Sequence, residues 1–526
     1  MPVRTGRWRA GTIVPALLAC AVLILSVRLG SDASWDLRNY HLYDPWAWLH
    51  KAPGTDIAPA QRQSFHNPLP DLPGLWLRFR LSRQPSLLDA LLAIPDAAAL
   101  VIGWFIGRTL WPDRVWLPLA ALLFGASGAA SLPTLGTSMS EMPSACFMLA
   151  GLLLLLRVAA RGEAPHGHLP AIGLLSGIAV GLKLTQAVFV PAMLLATLAA
   201  LPLPPRRRVS AMLLVAAGIV PGMLLSGGAW WLHLWRITGN PVFPYRNDLF
   251  RSPLVPPLPF GDDRFLPRGL AAHLAQPFRW AFETSATASE IPLRDPRLAL
   301  ALMAMALVAL VLLALPVASS GSRRPGPAHR VLLVFLGAAA VLWQLQFSIL
   351  RYLAPVELLC GFVVLMALDA FGRAVSAFGM AACLLLCATT TVYPKWGRVP
   401  PGRDALRILL PPLPPDAIVF LPADEPLAFV ATVADPRIRF IGLRNNLLLA
   451  GATGVLPDTV RRLASDDRHP AWSLENAGSF AADAGVLAGF GLRRAGKCSP
   501  IDTTLTADRL VLCPLQHLGR ASSPPV

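Results

Sequence analysis

Apolar residues along the chain fall in long blocks parted by short polar stretches. A hydrocarbon core about 30 Å thick is crossed by about 20 helical residues. Eleven blocks approach that length: 11–29, 87–107, 115–131, 143–158, 169–183, 185–203, 210–235, 298–317, 331–350, 353–371 and 375–393. Residues 298–315 include no polar side chain at all. The block 169–203 is too long for one ordinary span and is broken by Lys183, Thr185 and Gln186. A lysine in mid-membrane is costly, so the block is read as two spans meeting at a turn. The pattern predicts an all-α polytopic membrane domain over residues 1–393, with large outer loops at 30–86 and 236–297. After residue 393 the pattern changes. Segments 417–421, 437–443 and 509–515 read as strands, and 459–464 and 481–490 as helices. That alternation predicts a small C-terminal α/β domain, 394–526, with a mainly parallel sheet.

Charge gives the expected orientation. Short cytoplasmic loops are enriched in Lys and Arg. With Arg4, Arg7 and Arg9 inside, the inner loops hold Arg108 and Arg114; Arg157 and Arg161; Arg206, Arg207 and Arg208; Arg323, Arg324 and Arg330; and Arg373. The short outer loop 132–142 has no basic residue. Eleven spans then leave the N-terminus cytoplasmic and the C-terminal domain periplasmic. The first span resembles a signal peptide at Leu17-Leu-Ala-Cys20, but its apolar run continues to Val27 without an Ala-x-Ala site. It is expected to be retained.

Composition narrows the class. Only 14% of residues are charged and 54% are apolar, with mean hydropathy +0.53. A soluble domain carries roughly a quarter charged residues, so neither a disordered chain nor a purely soluble enzyme is expected. The net charge of +16 invites a nucleic-acid partner. The basic residues are scattered arginines, however, many of them in the inner loops, so the charge reads as a topology signal and no nucleic acid is expected. Lys183 and Arg351 depart from the pattern, because both sit at the outer ends of spans. Seven cysteines in this length make no disulfide framework. Cys498 and Cys513, the two outside the spans, either pair on the oxidising side or remain core thiols. No Walker motif is present, which disfavours an ATP-driven transporter.

The candidate chemistry lies in the outer segments. The first loop opens with Trp35-Asp36-Leu37-Arg38-Asn39-Tyr40-His41, followed by Tyr43-Asp44-Pro45-Trp46. An aromatic belt explains Trp46 and Trp48. It does not explain Asp36, which is placed to act as a base on an incoming substrate. Next comes His66-Asn67-Pro68-Leu-Pro-Asp71, a proline-stiffened loop presenting polar groups. His66 has no partner at metal-ligand spacing, so hydrogen bonding is its expected role. Ser140 and Glu141 precede a span, either as a helix cap with a first-turn acid or as a second site acid. Lys183, Arg351 and Tyr352 either snorkel to headgroups or contact a lipid phosphate. Asp89 and Asp96, seven apart and on one helical face, suit an ion path or structural pairing. Gly261-Asp262-Asp263 reads as a solvated turn before a metal site.

These stretches, with Gly181-Leu-Lys183-Leu-Thr185, Gly239-Asn240-Pro241-Val-Phe-Pro244-Tyr245 and Arg351-Tyr352-Leu-Ala-Pro355, resemble the GT-C superfamily of integral-membrane glycosyltransferases, in its family 39- or 87-like members. The resemblance covers residues 11 to about 393; the tail is matched by architecture alone. It implies an inverting enzyme of the bacterial cytoplasmic membrane with a polyprenyl-phosphate sugar donor and a glycan, lipid or protein acceptor. It implies Asp36 as base or site acid and Glu141 as assisting acid. Lys183, Arg351 and Tyr352 would bind the donor phosphate. Arg38, His41, His66, Asn67 and Asp71 are the expected substrate-binding residues. Some relatives carry paired first-loop acids and use a divalent metal. Here the stretch is Trp-Asp-Leu, so a metal is possible but none is expected to be required, and no other cofactor is implied. The alternatives are a polytopic transporter or lipid flippase using Asp89, Asp96 and Glu357, and an outer-face binding protein anchored by its spans.

Overall fold

The computed structural model describes residues 4–139, 141–163, 165, 167–314 and 325–518, with the side chains of 4–11 and 314 left aside. Ser140, Arg323 and Arg324 lie outside the described residues. Among the described residues, seven helices are long and apolar enough to cross a membrane: Thr12–Leu29, Pro85–Leu110, Glu141–Arg161, Pro205–Thr238, Pro327–Gln346, Leu350–Asp369 and Arg373–Thr390. Four shorter apolar helices, Trp116–Ala126, His168–Leu182, Leu184–Ala200 and Arg297–Leu313, occupy the remaining expected segments. The expected break at Lys183 is present, with a 3-10 turn, Leu184–Val188, between helices His168–Leu182 and Phe189–Ala200.

By contacts the chain divides into two compact units. The first comprises residues up to Ser26, Ala90–Gly228 and Asp262–Trp396; the second comprises Val27–Asp89, Ala229–Gly261 and the chain from Gly397 on.

The first unit is helical. Helix Ala354–Asp369 is its most enclosed element, buried almost throughout. Apolar lipid supplies little force to push helices together, so close van der Waals contact between small residues must do so. The packing of Trp116–Ala126 on this helix shows it. A Cβ on Gly361 would lie 2.0 Å from the Ala121 carbonyl oxygen, and one on Gly125 would lie 2.2 Å from that of Leu358. Both positions therefore require glycine, and the backbones meet there.

The second unit is built on sheets. Strands β1 (Ser31–Asp32) and β2 (Arg398–Val399) form an antiparallel pair. The others are β3 (Ile408–Leu409), β4 (Ile418–Leu421), β5 (Arg439–Gly442), β6 (Ala471–Asn476), β7 (Leu492–Arg494), β8 (Ser499–Thr503) and β9 (Leu510–His517). They form one sheet in the order β3-β8-β9-β6-β4-β5, with β7 also paired to β9. The expected strands and both expected helices, Val455–Ala464 and Phe480–Gly489, are present. The sheet is not mainly parallel. Only β4 pairs in parallel, with β5 and β6; the other pairings are antiparallel. Strands β8 and β9 follow one another too closely for the dozen or more residues that a parallel crossover needs.

Strand β4, Ile-Val-Phe-Leu, is apolar at every position because both of its faces are covered. Val419 and Leu421 pack with Leu37, Tyr40, Tyr43, Trp46 and Leu75 of the first loop. Ile418 and Phe420 pack with Val460, Ala464 and Leu487 of the two helices, and with Phe243 and Val255. Cys498 and Cys513 form a disulfide. The β8–β9 register, with Ser499 opposite Leu512, places them opposite one another.

Replacing Gly361 by Leu is expected to force the two helices apart and destabilise the first unit by at least about 1–3 kcal/mol, the usual cost of overpacking. Thermal unfolding in detergent checks this, with Gly337→Leu, where an added Cβ meets only the Met305 side chain, as the milder comparison.

Candidate functional site

The first unit gathers Glu141, Lys183, Arg351 and Tyr352. Glu141 opens helix Glu141–Arg161, where the helix dipole favours an anion, and it is buried. Lys183 caps the end of helix His168–Leu182, and its Nζ donates to Glu141 Oε1 at 2.7 Å. Arg351 lies in the 3-10 turn Leu350–Leu353, with Nε 3.9 Å from the same oxygen. Both cations lie over the Tyr352 ring, at 5.8 and 5.2 Å, and Arg351 also lies over Trp396. The expected second acid and the expected phosphate ligands are thus one cluster, with two cations to one carboxylate.

A second buried network supports the approach to Glu141, and residue patterns alone did not reveal it. Helix Trp116–Ala126 has eleven residues and rises only about 16 Å, because the chain after it is drawn into a turn. Asp295 accepts from the Ala129 amide, and Glu357 accepts from the Ala130 and Ser131 amides and the Ser131 hydroxyl. Arg297 binds Asp295 through Nη1, the Phe124 carbonyl through Nε and the Ser127 hydroxyl through Nη2. Glu357 is therefore committed to backbone amides. Asp89 lies on helix Pro85–Leu92 and Asp96 on helix Ile94–Leu110. Asp96 accepts from the Gly136 amide at 3.0 Å.

The second unit gathers most of the first-loop candidates. Asp36 has helical backbone angles, and residues 37–41 form a single wide helical turn after it that runs into helix Tyr43–His50. That turn places Tyr40 so that its hydroxyl donates to Asp36 Oδ2 at 3.3 Å. The Tyr40 ring lies 4.0 Å from His41 and edge-on to His66 at 5.1 Å. His41 Nδ1 bonds Asp71 Oδ2 at 2.7 Å, and His66 Nε2 bonds the Tyr245 hydroxyl at 2.8 Å. Arg38 stands apart, 3.8 Å from Asp508. Burial lowers its pKa, opposed first by Asp508 and then by Glu425 and Asp32. Asn67 accepts from the Leu69 amide and so shapes its own loop.

Two further buried groups in this unit escaped notice. Asp56 accepts from the Tyr43 hydroxyl, Lys51 Nζ and the Phe440 amide, which fastens the first loop to β5. Burial pushes its carboxyl up and the Lys51 ammonium down. Asp44 is buried, and burial, reinforced by Asp71, raises its pKa well above the ordinary carboxylate range. The signal for Asp44 was an acid inside an aromatic stretch; Asp56 lies among Pro, Gly and Ala with no such signal. Asp262 pairs with Arg264 at 2.6 Å. Among the described residues no three His, Cys, Asp or Glu side chains are grouped to hold a metal ion.

The helical unit holds several helices long and apolar enough to cross a membrane, and the second unit holds a sheet, as the sequence predicted. No family model matches the chain, and no curated protein does. Among solved structures the fold is that of ArnT from Cupriavidus metallidurans bound to undecaprenyl phosphate, with a TM-score of 0.50, 13% identity, and 96% of this chain and 98% of that chain covered. The apo state of the same protein aligns with a TM-score of 0.40 at 14% identity, over 95% and 97% of the two chains.

The raised pKa of Asp44 has a signed consequence. The folded state holds this proton more tightly than the unfolded chain, so Asp44 costs stability as pH rises above its unfolded value near 3.8. Asp44→Asn is therefore expected to raise the melting temperature at pH 8 and to leave it little changed below pH 4. Thermal unfolding at the two pH values checks the sign.

Proposed function

We propose that this protein is an inverting glycosyltransferase of the bacterial cytoplasmic membrane. It transfers a sugar from a polyprenyl-phosphate donor to a glycan, lipid or protein acceptor on the outer face. The observation that carries this reading is the pairing of Lys183 and Arg351 around Glu141 among apolar helices. The fold likeness to a protein solved with undecaprenyl phosphate supports it, as does the Cys498–Cys513 disulfide, which suits an oxidising, outer compartment.

Lys183 and Arg351 hold the donor phosphate, with Tyr352 beneath them. As the glycosidic bond to phosphate breaks, negative charge grows on the departing oxygen. Fixed cations in a water-poor setting stabilise that charge without reorganising. Glu141 holds both cations in place and keeps the donor-free site from carrying two unneutralised charges. Asp36 is the site acid of the first loop, with its carboxylate fixed by Tyr40. His41, His66, Asn67, Asp71 and Arg38 are assigned to binding the acceptor. The donor's tail remains in lipid, which is why the phosphate ligands belong at helix ends. No divalent metal is required by this scheme.

Deleting the gene and comparing surface glycans by mass spectrometry tests the reading: one sugar substituent should disappear and return with the wild-type gene. Asp36→Asn, or Lys183→Met combined with Arg351→Met, should each lower the restored product by about 10²-fold or more. Full restoration by both variants would remove this assignment of the site.

A further inference from the structure

The second unit holds a groove of about 420 Å³ that the glycosyl-transfer scheme does not use. It is bounded by the loop after β5 and by helices Val455–Ala464 and Phe480–Gly489. Strand β5 ends at Gly442, parallel to β4, and Leu443 and Arg444 continue from it into the groove wall. Open α/β sheets bind ligands outside the carboxyl ends of their strands, and small-molecule sites span about 300–1,000 Å³. The walls include Leu448 and Val460, both buried, and Phe490, which is half-buried. The floor is helix Phe480–Gly489. A Cβ on Gly485 or Gly489 would meet nothing within 4 Å, so the groove lies open above both. Glycine inside a helix costs stability relative to alanine. No close packing calls for it at Gly485, whereas leaving room for a ligand does.

No acidic residue lines the groove, and its two charged residues are both arginines. Arg461 is held at its edge: Nη1 donates to Asp458 at 2.6 Å and Nη2 to the Ala452 carbonyl at 2.9 Å. Its guanidinium has further N–H donors to offer. Arg444 is exposed and has no hydrogen bond or ion pair among the described residues. It leaves one positive charge unanswered beside an apolar surface.

We propose that this groove binds a soluble, single-chain anionic amphiphile. Its carboxylate or phosphate is held by Arg444 and Arg461, and its short apolar chain lies over Gly485 and Gly489 against Leu448, Val460 and Phe490. Planar guanidinium forks suit either head group. A cation would meet Arg444 with no acid in the lining to offset it. A sugar would leave most of its hydroxyls against apolar side chains. The volume lies toward the small end of ligand sites, which favours one chain over the two of a membrane phospholipid. The proposal does not rest on the glycosyl-transfer reading.

The test uses the full chain in phosphatidylcholine nanodiscs, carrying Lys183→Met and Arg351→Met so that the proposed donor site cannot take up the probe. Octyl phosphate is titrated by calorimetry, with empty nanodiscs as the blank, and should bind one molecule per chain. Inorganic phosphate, octyltrimethylammonium and dioctanoyl phosphatidate should each bind at least about tenfold more weakly. Arg444→Ser should weaken octyl phosphate by about tenfold or more, the loss expected when a hydrogen bond to a charged group is removed. Gly485→Leu should abolish binding by filling the groove. Its melting temperature without probe should not fall, because leucine favours the helix and its Cβ enters open space. If Gly485→Leu fails to fold, Arg444→Ser decides. Absence of octyl phosphate binding, or binding that neither substitution weakens, overturns the proposal. Equal binding of inorganic phosphate removes the apolar part of the site, and equal binding of octyltrimethylammonium removes the anionic part; either rejects it. Tighter binding of dioctanoyl phosphatidate assigns the groove to a membrane lipid and rejects the soluble ligand. Both donor-site cations are absent throughout, so none of these results bears on the donor assignment.

Discussion

The helical unit depends on how it buries Arg297. This side chain is fully enclosed, and a guanidinium away from water is tolerable only when paired and hydrogen-bonded. Asp295 supplies the charge, and the Phe124 carbonyl and the Ser127 and Thr391 hydroxyls accept further hydrogen bonds from the guanidinium. Asp295 and Glu357 in turn bind the amides that helix Trp116–Ala126 leaves open where it stops. One ionic cluster thus ends a helix, fixes the turn after it, and joins helices Arg297–Ala314 and Ala354–Asp369 to that turn. The same chain then runs on to Glu141. A buried pair of this kind adds little net stability over apolar packing, but breaking it costs several kcal/mol. Its value is that only one arrangement of these four segments satisfies every member.

The second unit meets a different constraint. Its sheet has two apolar faces; the tail's two α-helices pack on one, and its 3-10 helix Ala428–Val433 covers only part of the other. The first loop covers the rest of that face, and the buried Asp56, held by Tyr43, Lys51 and the Phe440 amide, fastens that cover in place. The loop that carries Asp36 and His41 is therefore part of a domain core, as a rigid site requires.

Much of this was legible in the residues. Each of the eleven apolar blocks is helical, the break at Lys183 is where a cation in lipid would put it, and β4, β5 and β9 follow from short apolar runs. Strands of two or three residues, such as β3 and β7, carry no period, so the antiparallel half of the sheet was hidden. The grouping of Asp36, His41, His66 and Asp71 was visible because these residues crowd into one loop. The network of Asp295, Arg297 and Asp56 was not, because the backbone groups of Ala129, Phe124 and Phe440 that complete it lie 166 to 384 residues away. Burial of a charge announces itself only in three dimensions. Asp44 sat in the quoted stretch, yet nothing in its neighbours distinguishes a neutral acid from a surface one.

The sharing of the sheet also sets an order of assembly. Leu37, Tyr40 and Trp46 are made early, while β9, which pairs with β6, β7 and β8, is made more than 450 residues later. Until β9 arrives, the first loop has no completed surface to settle on, and its aromatic side chains must wait beside the bilayer. Contacts of such long separation close slowly. During synthesis the loop would then exist unfolded for as long as the ribosome takes to finish the chain, and any loss of the final strand would leave the apolar face of an otherwise inserted protein exposed to quality control.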